Sequence, residues 1–476
     1  MTFQELIDAV PHNPYYLDVD CCLALYHADY QDVVRYLSGI SVVVTDPPYE
    51  LGFMGRAWDK AGVSFQAETW RAIRDACLPG APLLSFGGTR TFHRIACAIE
   101  DAGWEIRDTL AWVYGQGFPK GLNIGKAIDR VQGNEREDLG KHPNAGQTLG
   151  TIQICKKNGT GRLTKGRTVW EGYGTGLKPA YEPIILAMNP LDGTFAQNAL
   201  KHKVAGLNID GCRVGNDNIR TKGRSSAKHK ESQSLGGGWY HEGEYPEYPG
   251  RFPTNFLHDG SQQVMELFPE RKAGVAVWRN VGHSRSSNIN YASGSKDAEM
   301  TDDVGYGDSG SAARFFYCAK ASKAERNAGC EGLEERPINL TETMGRTWND
   351  RCASCGKKFI GPPEKICHCD NPITDKTVYK QRNNHPTVKP LALMEYLCKL
   401  VKYPEYNLIL DPFCGSGTTL IACLRLGIPC IGIDNDEQAC KIAKARLAYW
   451  RGGDSRERCG GRATSTRAKA GVPPAR

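Results

Sequence analysis

The chain has 476 residues, 40% of them hydrophobic, and has no apolar run approaching the roughly 18 residues that cross a membrane as a helix. Its net charge is +7, but the last 26 residues carry seven Lys or Arg against two acids, so charge alone does not establish a nucleic-acid partner. The start, residues 1–10, mixes acids with apolar residues, and we expect no secretory signal peptide. Eighteen scattered cysteines then predict reduced thiols in a cytoplasmic protein of two or three domains.

Strand and helix patterns alternate through the first 115 residues. The predicted elements are strand 22–28, helix 32–37, strand 41–45, helix 66–78, strand 82–86, helix 91–102 and strand 104–114. Alternation of this kind predicts a parallel sheet with helices on both faces. A stretch rich in glycine, lysine and asparagine follows, interrupted by a predicted strand at 182–187.

Regular patterns are sparse from 189 to 384 and return at His385. The later predicted elements are a helix beginning at Pro390, strand 408–411, a helix ending at Leu426 with Gly427 as its cap, strand 430–433 and helix 437–449. Seven strands are thus divided between the two ends of the chain, and we expect them to meet in one sheet.

A glycine-rich turn, Asp411 to Thr419 (DPFCGSGTT), follows a strand and opens a helix, where parallel sheets bind nucleotide-like ligands. A phosphate-binding loop would need Lys at Thr418, and a dinucleotide fingerprint would need Gly or Ala at Leu420. The spacing Phe413-x-Gly415-x-Gly417 instead resembles the cofactor motif of S-adenosylmethionine-dependent methyltransferases. A tight structural turn remains the alternative.

The stretch Thr45-Asp46-Pro47-Pro48-Tyr49 also ends a predicted strand, on the same edge of the sheet as the glycine turn. The two prolines fix the backbone, so a carboxylate, a carbonyl and an aromatic ring are presented in one stiff geometry. A proline-stiffened exit loop is the alternative interpretation for this stretch alone.

Together with the glycine turn and the run His385-Pro386-Thr387-Val388-Lys389-Pro390, this stretch resembles the amino-group DNA methyltransferases that modify adenine N6 or cytosine N4. The order of the motifs resembles the permuted beta subgroup, and segments 112–129 and 315–320 resemble phage and prophage members. The resemblance implies an α/β fold: a seven-stranded, mostly parallel sheet of the Rossmann-like S-adenosylmethionine-dependent methyltransferase type, circularly permuted, with an inserted target-recognition region and a small zinc-knuckle-like element.

The resemblance also implies roles for single residues. The catalytic set is Asp46, Pro47, Pro48 and Tyr49, and the set that binds S-adenosylmethionine is Asp29, Thr387, Lys389, Asp411, Phe413, Gly415, Gly417 and Asp434. An exocyclic base amine is a poor nucleophile, and hydrogen bonds accepted by the Asp46 carboxylate and the Pro47 carbonyl would localise electron density on its nitrogen. The base must first leave the duplex stack, and Tyr49 would then stack on it. For Asp29, a helix-capping role is an equal alternative.

The predicted function is therefore direct methyl transfer to adenine N6 in DNA, because Asp begins the tetrad, with cytosine N4 as the alternative base. Methylation of RNA guanine N2 or protein glutamine usually goes with Asn in place of Asp46 and without the permuted order. A non-catalytic DNA-binding protein of the same fold would be expected to carry damage at Asp46, Tyr49 or Gly415, and the sequence has none.

Four cysteines predict a structural zinc site. They are Cys352, Cys355, Cys367 and Cys369, within 18 residues, with His368 able to replace one of them. Thiolates at this spacing suit tetrahedral zinc, and the alternative is a cluster of free thiols. The predicted role is to order a loop near DNA.

The domain boundaries follow from these assignments. The expected units are 1–188 with the catalytic tetrad and an insert at 116–180, 189–345 for target recognition, 346–384 for the zinc element and linker, 385–450 for cofactor binding, and 451–476 as a disordered basic tail. The predicted partner is double-stranded DNA, which would place the cytoplasmic protein at the nucleoid, with no membrane. A second copy of the chain and a cognate restriction endonuclease are candidate further partners, as in restriction-modification systems.

Overall fold

The computed structural model describes residues 2–51, 61–115, 121–141, 148–149, 152–153, 162–220, 247–272, 309–319, 323–337 and 380–452. Its centre is a ten-stranded sheet. The strands are β1 (Tyr16–Asp18), β2 (Leu23–His27), β3 (Val42–Thr45), β4 (Pro82–Phe86), β5 (Glu105–Val113), β6 (Tyr181–Met188), β7 (Phe256–His258), β8 (Tyr317–Cys318), β9 (Ile409–Asp411) and β10 (Cys430–Asp434).

Helices cover the sheet or lie in its connections. They are α1 (Phe3–Asp8), α2 (Tyr30–Val34), α3 (Ala67–Asp75), α4 (Phe92–Asp101), α5 (Ile124–Gln132), α6 (Phe195–His202), α7 (Gln262–Met265), α8 (Lys323–Asn327), α9 (Leu391–Leu400), α10 (Thr418–Leu426) and α11 (Glu437–Arg451). Other short strands pair in antiparallel two-stranded ribbons. The pairs are Glu137–Lys141 with Arg162–Lys165, Thr148–Leu149 with Ile152–Gln153, Val214–Arg220 with Glu247–Arg251, Glu270–Lys272 with Ser309–Ser311, and Arg336–Pro337 with Lys380–Gln381. Single 3-10 turns span Val63–Phe65, Asp210–Cys212 and Ala312–Phe315.

Strands from the two ends of the chain interleave in the sheet. The order is β1-β2-β10-β9-β3-β4-β6-β5-β7-β8, so the late strands β9 and β10 lie between the early strands β2 and β3. Neighbours from β2 to β4 are parallel, whereas β6 is antiparallel to both β4 and β5. The carboxyl ends of β2, β10, β9 and β3 therefore share one edge, and this edge forms a crevice of the kind that binds ligands in α/β sheets.

The central strands form because their sequences suit burial on both faces. Every residue of β3 (VVVT) and of β9 (ILD) is buried, as expected for interior parallel strands. One apolar cluster lies on the side of α9, α10 and α11, and a second lies on the side of α2, α3 and α4. Helices thus cover both faces of the sheet, as predicted, and α10 ends at the predicted Gly427, whose φ of 61° is left-handed.

The sheet is wider than the seven strands that the sequence predicts. All seven predicted strands are present, and β1, β7 and β8 extend the two edges. Strand β1 is three residues long, β7 three and β8 two, too short to show a period-two pattern. β7 and β8 come from the range predicted for target recognition, and they pair in parallel with β5 and with each other. Among the described helices, none is long and apolar enough to cross a membrane.

Candidate active site

A cleft of about 460 Å³ opens at the edge of the sheet where β2, β3, β9 and β10 end. The predicted site residues that line it are Asp29, Asp46, Pro47, Pro48, Tyr49, Thr387, Lys389, Asp411, Phe413, Gly415 and Asp434. The fold thus brings together three sequence motifs that lie far apart in the chain. The remaining predicted residue, Gly417, lies beneath the turn, where a Cβ would meet the Cβ of Ala443 in α11 at 2.8 Å.

The carboxylate of Asp46 forms an ion pair with Lys389 at the floor of this cleft. The Lys389 Nζ lies 2.5 Å from Asp46 Oδ2, and the two side chains are 8% and 19% exposed. The other carboxylate oxygen, Asp46 Oδ1, is buried and accepts no hydrogen bond from any described residue. A buried acceptor without a partner is costly, so this atom is suited to accept a hydrogen bond from a ligand.

Burial and charge act in opposite directions on this pair. Burial raises the pKa of Asp46, and the neighbouring Glu182 adds to the effect, whereas the Lys389 ammonium opposes it. For Lys389, burial alone would lower the pKa, but Asp46 and Glu182 together reverse this and leave the pKa raised. The ammonium is therefore held in its charged form beside a carboxylate whose own ionisation depends on it.

Glu182 lies beside the Asp46–Lys389 ion pair, and no role for it was predicted from the sequence. It is the second residue of β6, and its Oε2 accepts a hydrogen bond from the Tyr49 hydroxyl at 3.1 Å and lies 3.4 Å from Lys389 Nζ. The Tyr49 hydroxyl is also 3.2 Å from Lys389 Nζ. Burial, Asp46 and Glu182 together raise the pKa of Tyr49 well above its ordinary value, so its hydroxyl keeps its proton. An acid near the start of an otherwise apolar strand was the available sequence signal.

The Asp411 carboxylate is occupied by contacts within the protein. Oδ1 accepts hydrogen bonds from the Thr45 hydroxyl at 2.7 Å and from the Phe413 amide at 3.2 Å, and Oδ2 accepts from the Thr419 hydroxyl at 2.5 Å. Burial raises its pKa to about 7. Asp411 thus joins β3, the glycine turn and α10, and this scaffolding function was not part of the sequence interpretation.

The glycine turn is shaped by a hydrogen bond to the next strand. Gly415, at φ 50°, donates its N–H to Asp434 Oδ2 at 2.7 Å. A Cβ at Gly415 would lie 2.8 Å from the His385 imidazole, so only glycine lets the turn approach this ring. Burial raises the pKa of Asp434 to about 6, against hydrogen bonds from the Asp436 and Gly415 amides that lower it.

A buried arginine supports the same turn from below. The Arg446 guanidinium is fully buried and donates to the Ser416 carbonyl at 2.6 Å and to the hydroxyls of Ser416 and Thr418 at 3.1 Å each. The sequence feature that could have identified Arg446 is its position as a charged residue on the apolar face of α11, between Ala443 and Trp450.

Two further residues predicted to bind the cofactor, Asp29 and Phe413, also line the cleft. Asp29 is the N-cap of α2 and accepts from the Gln31 amide at 2.9 Å, so the capping alternative describes its contact within the protein, while it also lines the cleft. The Phe413 ring packs against the ring of Tyr30, with the centroids 5.3 Å apart. Both residues face the end of the cleft formed by β2 and β9.

The run from His385 to Pro390 is held by α8, an element from the middle of the chain. Arg326 donates to the His385 carbonyl at 2.6 Å, and Asn383 donates to the Arg326 carbonyl at 2.5 Å. The Glu325 carboxylate accepts from the Leu391 amide at the start of α9. These contacts fix the loop that carries Lys389 into the cleft.

Comparison with known proteins connects this geometry to a family. A protein-family model described as DNA methylase (N6_N4_Mtase) matches residues 40–445, a range that includes the tetrad and the glycine turn. The chain belongs to the N6/N4 DNA methylase family. Its DPPY and glycine-turn segments both lie within the matched range.

Individual relatives match shorter stretches of this N6/N4 methylase-family chain. It is 47% identical to the type II methyltransferase M2.DpnII of Streptococcus pneumoniae over 72 residues, which are 15% of this chain and 26% of that protein. It is 41% identical to the type II methyltransferase M.SmaI of Serratia marcescens over 131 residues, 25% of this chain and 42% of that protein. The chain thus spans about a quarter to two fifths of the length of these curated relatives. Among solved structures, the M1.HpyAVI complex with SAM aligns with 89% of this chain and 98% of its own at 15% identity and a TM-score of 0.34.

The predicted zinc ligands of this family member, Cys352, Cys355, Cys367 and Cys369, with His368, lie outside the described residues. Within the described ranges, no group of three or more His, Cys, Asp or Glu side chains is arranged to hold a metal ion. The zinc site therefore stays a prediction.

Proposed function

We propose that this protein is an S-adenosylmethionine-dependent DNA methyltransferase that methylates the exocyclic N6 amine of adenine in a flipped-out base. The observation that carries the proposal is the buried Asp46 carboxylate, with one oxygen paired to Lys389 and the other, Oδ1, without a partner among the described residues. An amine N–H is a suitable donor for this oxygen. A hydrogen bond from the amine to Asp46 Oδ1 would raise the electron density on the amine nitrogen.

The charge of the cleft supports a cationic cofactor over a phosphate-bearing one. Among the described residues, the charged ones that line it are one lysine and six carboxylic acids, namely Lys389, Asp29, Asp46, Glu182, Asp411, Asp434 and Asp436. Such a lining repels phosphates and favours a positively charged ligand. Its volume of about 460 Å³ is in the range of small-molecule sites. When bound, S-adenosylmethionine supplies an electrophilic methyl group on a sulfonium.

Each residue then has a proposed task. Asp434, Asp29 and Phe413 would hold the nucleoside part of the cofactor, with Gly415 giving its backbone a close approach. Thr387 would contact the methionine part, Gly417 and Asp411 would maintain the turn, and the Pro47 carbonyl would accept the second amine N–H. Tyr49 would stack on the flipped base, a contact worth about 1–3 kcal/mol.

The choice of adenine rests on the residue that begins the tetrad. The Asp at position 46 resembles the first tetrad residue of the adenine-N6 members of the family, whereas the tetrad of the cytosine-N4 members more often begins with Ser. Both bases present an amine beside a ring nitrogen acceptor, so the amine-accepting geometry suits either. Cytosine N4 is therefore the alternative product, and the nature of the methylated base distinguishes them.

The rest of the chain is proposed to serve DNA binding. We assign residues 1–188 and 385–450 to the catalytic unit in the permuted order, with the insert at 116–180, residues 189–345 to target recognition, 346–384 to a zinc-bearing element, and 451–476 to a basic tail. Lys and Arg of the tail would add salt-dependent affinity for phosphates without sequence preference. A cognate restriction endonuclease and a second copy of the chain are the proposed further partners.

The test compares Asp46→Ala with Glu68→Gln, which alters an exposed acid on α3. Purified proteins are incubated with S-adenosylmethionine labelled in the methyl group and with unmethylated plasmid DNA, and cofactor affinity is measured separately by calorimetry. The expected result is loss of transfer in Asp46→Ala with cofactor affinity retained, and normal transfer in Glu68→Gln. Normal transfer in Asp46→Ala would overturn the assignment of the acceptor.

A further inference from the structure

The Glu182 carboxylate contacts both the Tyr49 hydroxyl and the Lys389 ammonium. Its carboxylate is 3.1 Å from the Tyr49 hydroxyl and 3.4 Å from the Lys389 ammonium, and its side chain is 23% exposed at the wall of the cleft. The Lys389 ammonium is thereby placed between two carboxylates, those of Asp46 and Glu182. The three partners come from the loops after β3 and before α9 and from β6, so no local sequence pattern joins them.

The position of Glu182 is fixed by the backbone of the sheet. Strand β6 is antiparallel to both of its neighbours, and Glu182 lies opposite Trp112 of β5, another residue that lines the cleft. Because β6 runs against β4 and β5, its first residues reach the edge where the parallel strands end. A carboxylate at this point is held by a strand, which positions side chains more firmly than a loop.

We propose that Glu182 is a positioning residue for methyl transfer: it fixes the Tyr49 ring through its hydroxyl and holds the Lys389 ammonium against Asp46 Oδ2, leaving Asp46 Oδ1 free for the target amine. This inference rests on the proposed function of the cleft. Without Glu182, the Tyr49 hydroxyl would lose the acceptor that it has on β6, and the Lys389 ammonium would lose one of its two carboxylates.

In the part of the chain that the structure describes, the titratable groups that face Glu182 are Lys389, Tyr49, Tyr114 and, beyond Lys389, Asp46. Burial raises the pKa of Tyr114, and Glu182 raises it further. The negative charge of Glu182 also contributes to raising the pKa of both Asp46 and Lys389. Removing that charge lowers both pKa values, so the two limbs of a pH profile governed by Asp46 and Lys389 move to lower pH.

The first variant is Glu182→Gln, which keeps a hydrogen-bond acceptor but removes the charge. Its kcat on unmethylated plasmid DNA is expected to fall about tenfold, because the Lys389 ammonium loses one of its two carboxylate partners, with the KM for S-adenosylmethionine nearly unchanged. Both limbs of its pH profile should move to lower pH. A wild-type rate with an unmoved profile would overturn the role of the charge.

The second variant is Tyr49→Phe, which keeps the ring and removes only the hydroxyl. If Glu182 acts through that hydroxyl, the double variant should lose less activity than the product of the two single losses. Strictly multiplicative losses would contradict the coupling. If Glu182→Gln folds poorly, Tyr49→Phe alone still tests the contact: its kcat should fall with the KM for S-adenosylmethionine nearly unchanged, and a wild-type kcat would contradict the role of the hydroxyl.

The controls separate this inference from the proposed function. Glu68→Gln, a matched change at an exposed acid, should behave as the wild type. If the wild type itself transfers no methyl group to plasmid DNA, the proposed function fails; if the wild type is active and Glu182→Gln matches it, only the inference about Glu182 fails.

Discussion

The hydroxyl of Thr45 donates a 2.7 Å hydrogen bond to the carboxylate of Asp411, and this contact joins the end of the tetrad strand to the start of the glycine turn. Both side chains are buried, and the residues are 366 positions apart in the chain. The tetrad segment and the glycine turn are thus held in register by a direct contact between their own first residues.

Thr45→Val should therefore destabilise the protein. Valine has nearly the shape of threonine but cannot donate, so the buried Asp411 carboxylate loses one partner, at a cost of about 1–3 kcal/mol. Urea unfolding measures the change in the free energy of unfolding. As a control, Thr109→Val alters an exposed threonine of β5 outside the cleft, and equal losses in the two variants would contradict the special role of the buried contact.

Asp411 should also make stability depend on pH. Its pKa is about 7 in the folded protein against an ordinary value of 3.8, so the native state binds more protons between these values. Its contribution to stability is then present at low pH and falls as pH rises from about 4 to about 7. Compared with Asp411→Asn, the wild type should lose more free energy of unfolding between about pH 5 and about pH 8. A difference between the two proteins that is the same at both pH values would refute this.

Gly415→Ala should weaken cofactor binding more than its backbone strain alone explains. The new Cβ would lie 2.8 Å from His385 at a φ of 50°. Gly427→Ala is the matched control, because Gly427 also has a left-handed φ, 61°, but has open space around a Cβ and lies outside the cleft. Each should lose about 1–2 kcal/mol of stability from strain, and only Gly415→Ala should lose affinity for S-adenosylmethionine in calorimetry. Equal affinities would remove Gly415 from the cofactor site.

Lys389→Gln should shift the acid limb of the methylation profile. The Lys389 ammonium lowers the pKa of Asp46 against the effect of burial, so its removal raises that pKa. Activity should then require a higher pH, and at pH values below the shifted pKa kcat/KM should fall by about tenfold for each unit of the shift. Lys201→Gln, at an exposed ion pair, is the control. An unshifted acid limb in Lys389→Gln would show that the ion pair does not govern Asp46.

Much of the fold was predictable because its central elements carry strong local patterns. The β-branched run of β3, the alternation of strands and helices and the cap at Gly427 each followed from a local pattern. Strands β7 and β8 were missed because two or three residues show no periodicity, and their pairing depends on contacts distant in the chain.

Residues of the candidate site were predictable where they belong to a short sequence motif, and were missed where only tertiary contacts bring them to the cleft. Asp46 and Gly415 are fixed by their own neighbours in sequence. Glu182 and Arg446 act across the fold, on partners that no spacing in the sequence connects to them. Asp411 was predicted as a site residue and lines the cleft, but its engagement by Thr45 and Thr419 is a property of packing.

The central claim is methyl transfer to adenine N6 in DNA, and one measurement tests it most directly. The wild-type protein is incubated with S-adenosylmethionine carrying a deuterated methyl group and with duplex DNA from a methylation-deficient host, and the digested nucleosides are analysed by mass spectrometry. We predict deuterated N6-methyladenine. Deuterated N4-methylcytosine in its place would contradict the choice of base, and the absence of any deuterated nucleoside would contradict the proposed activity.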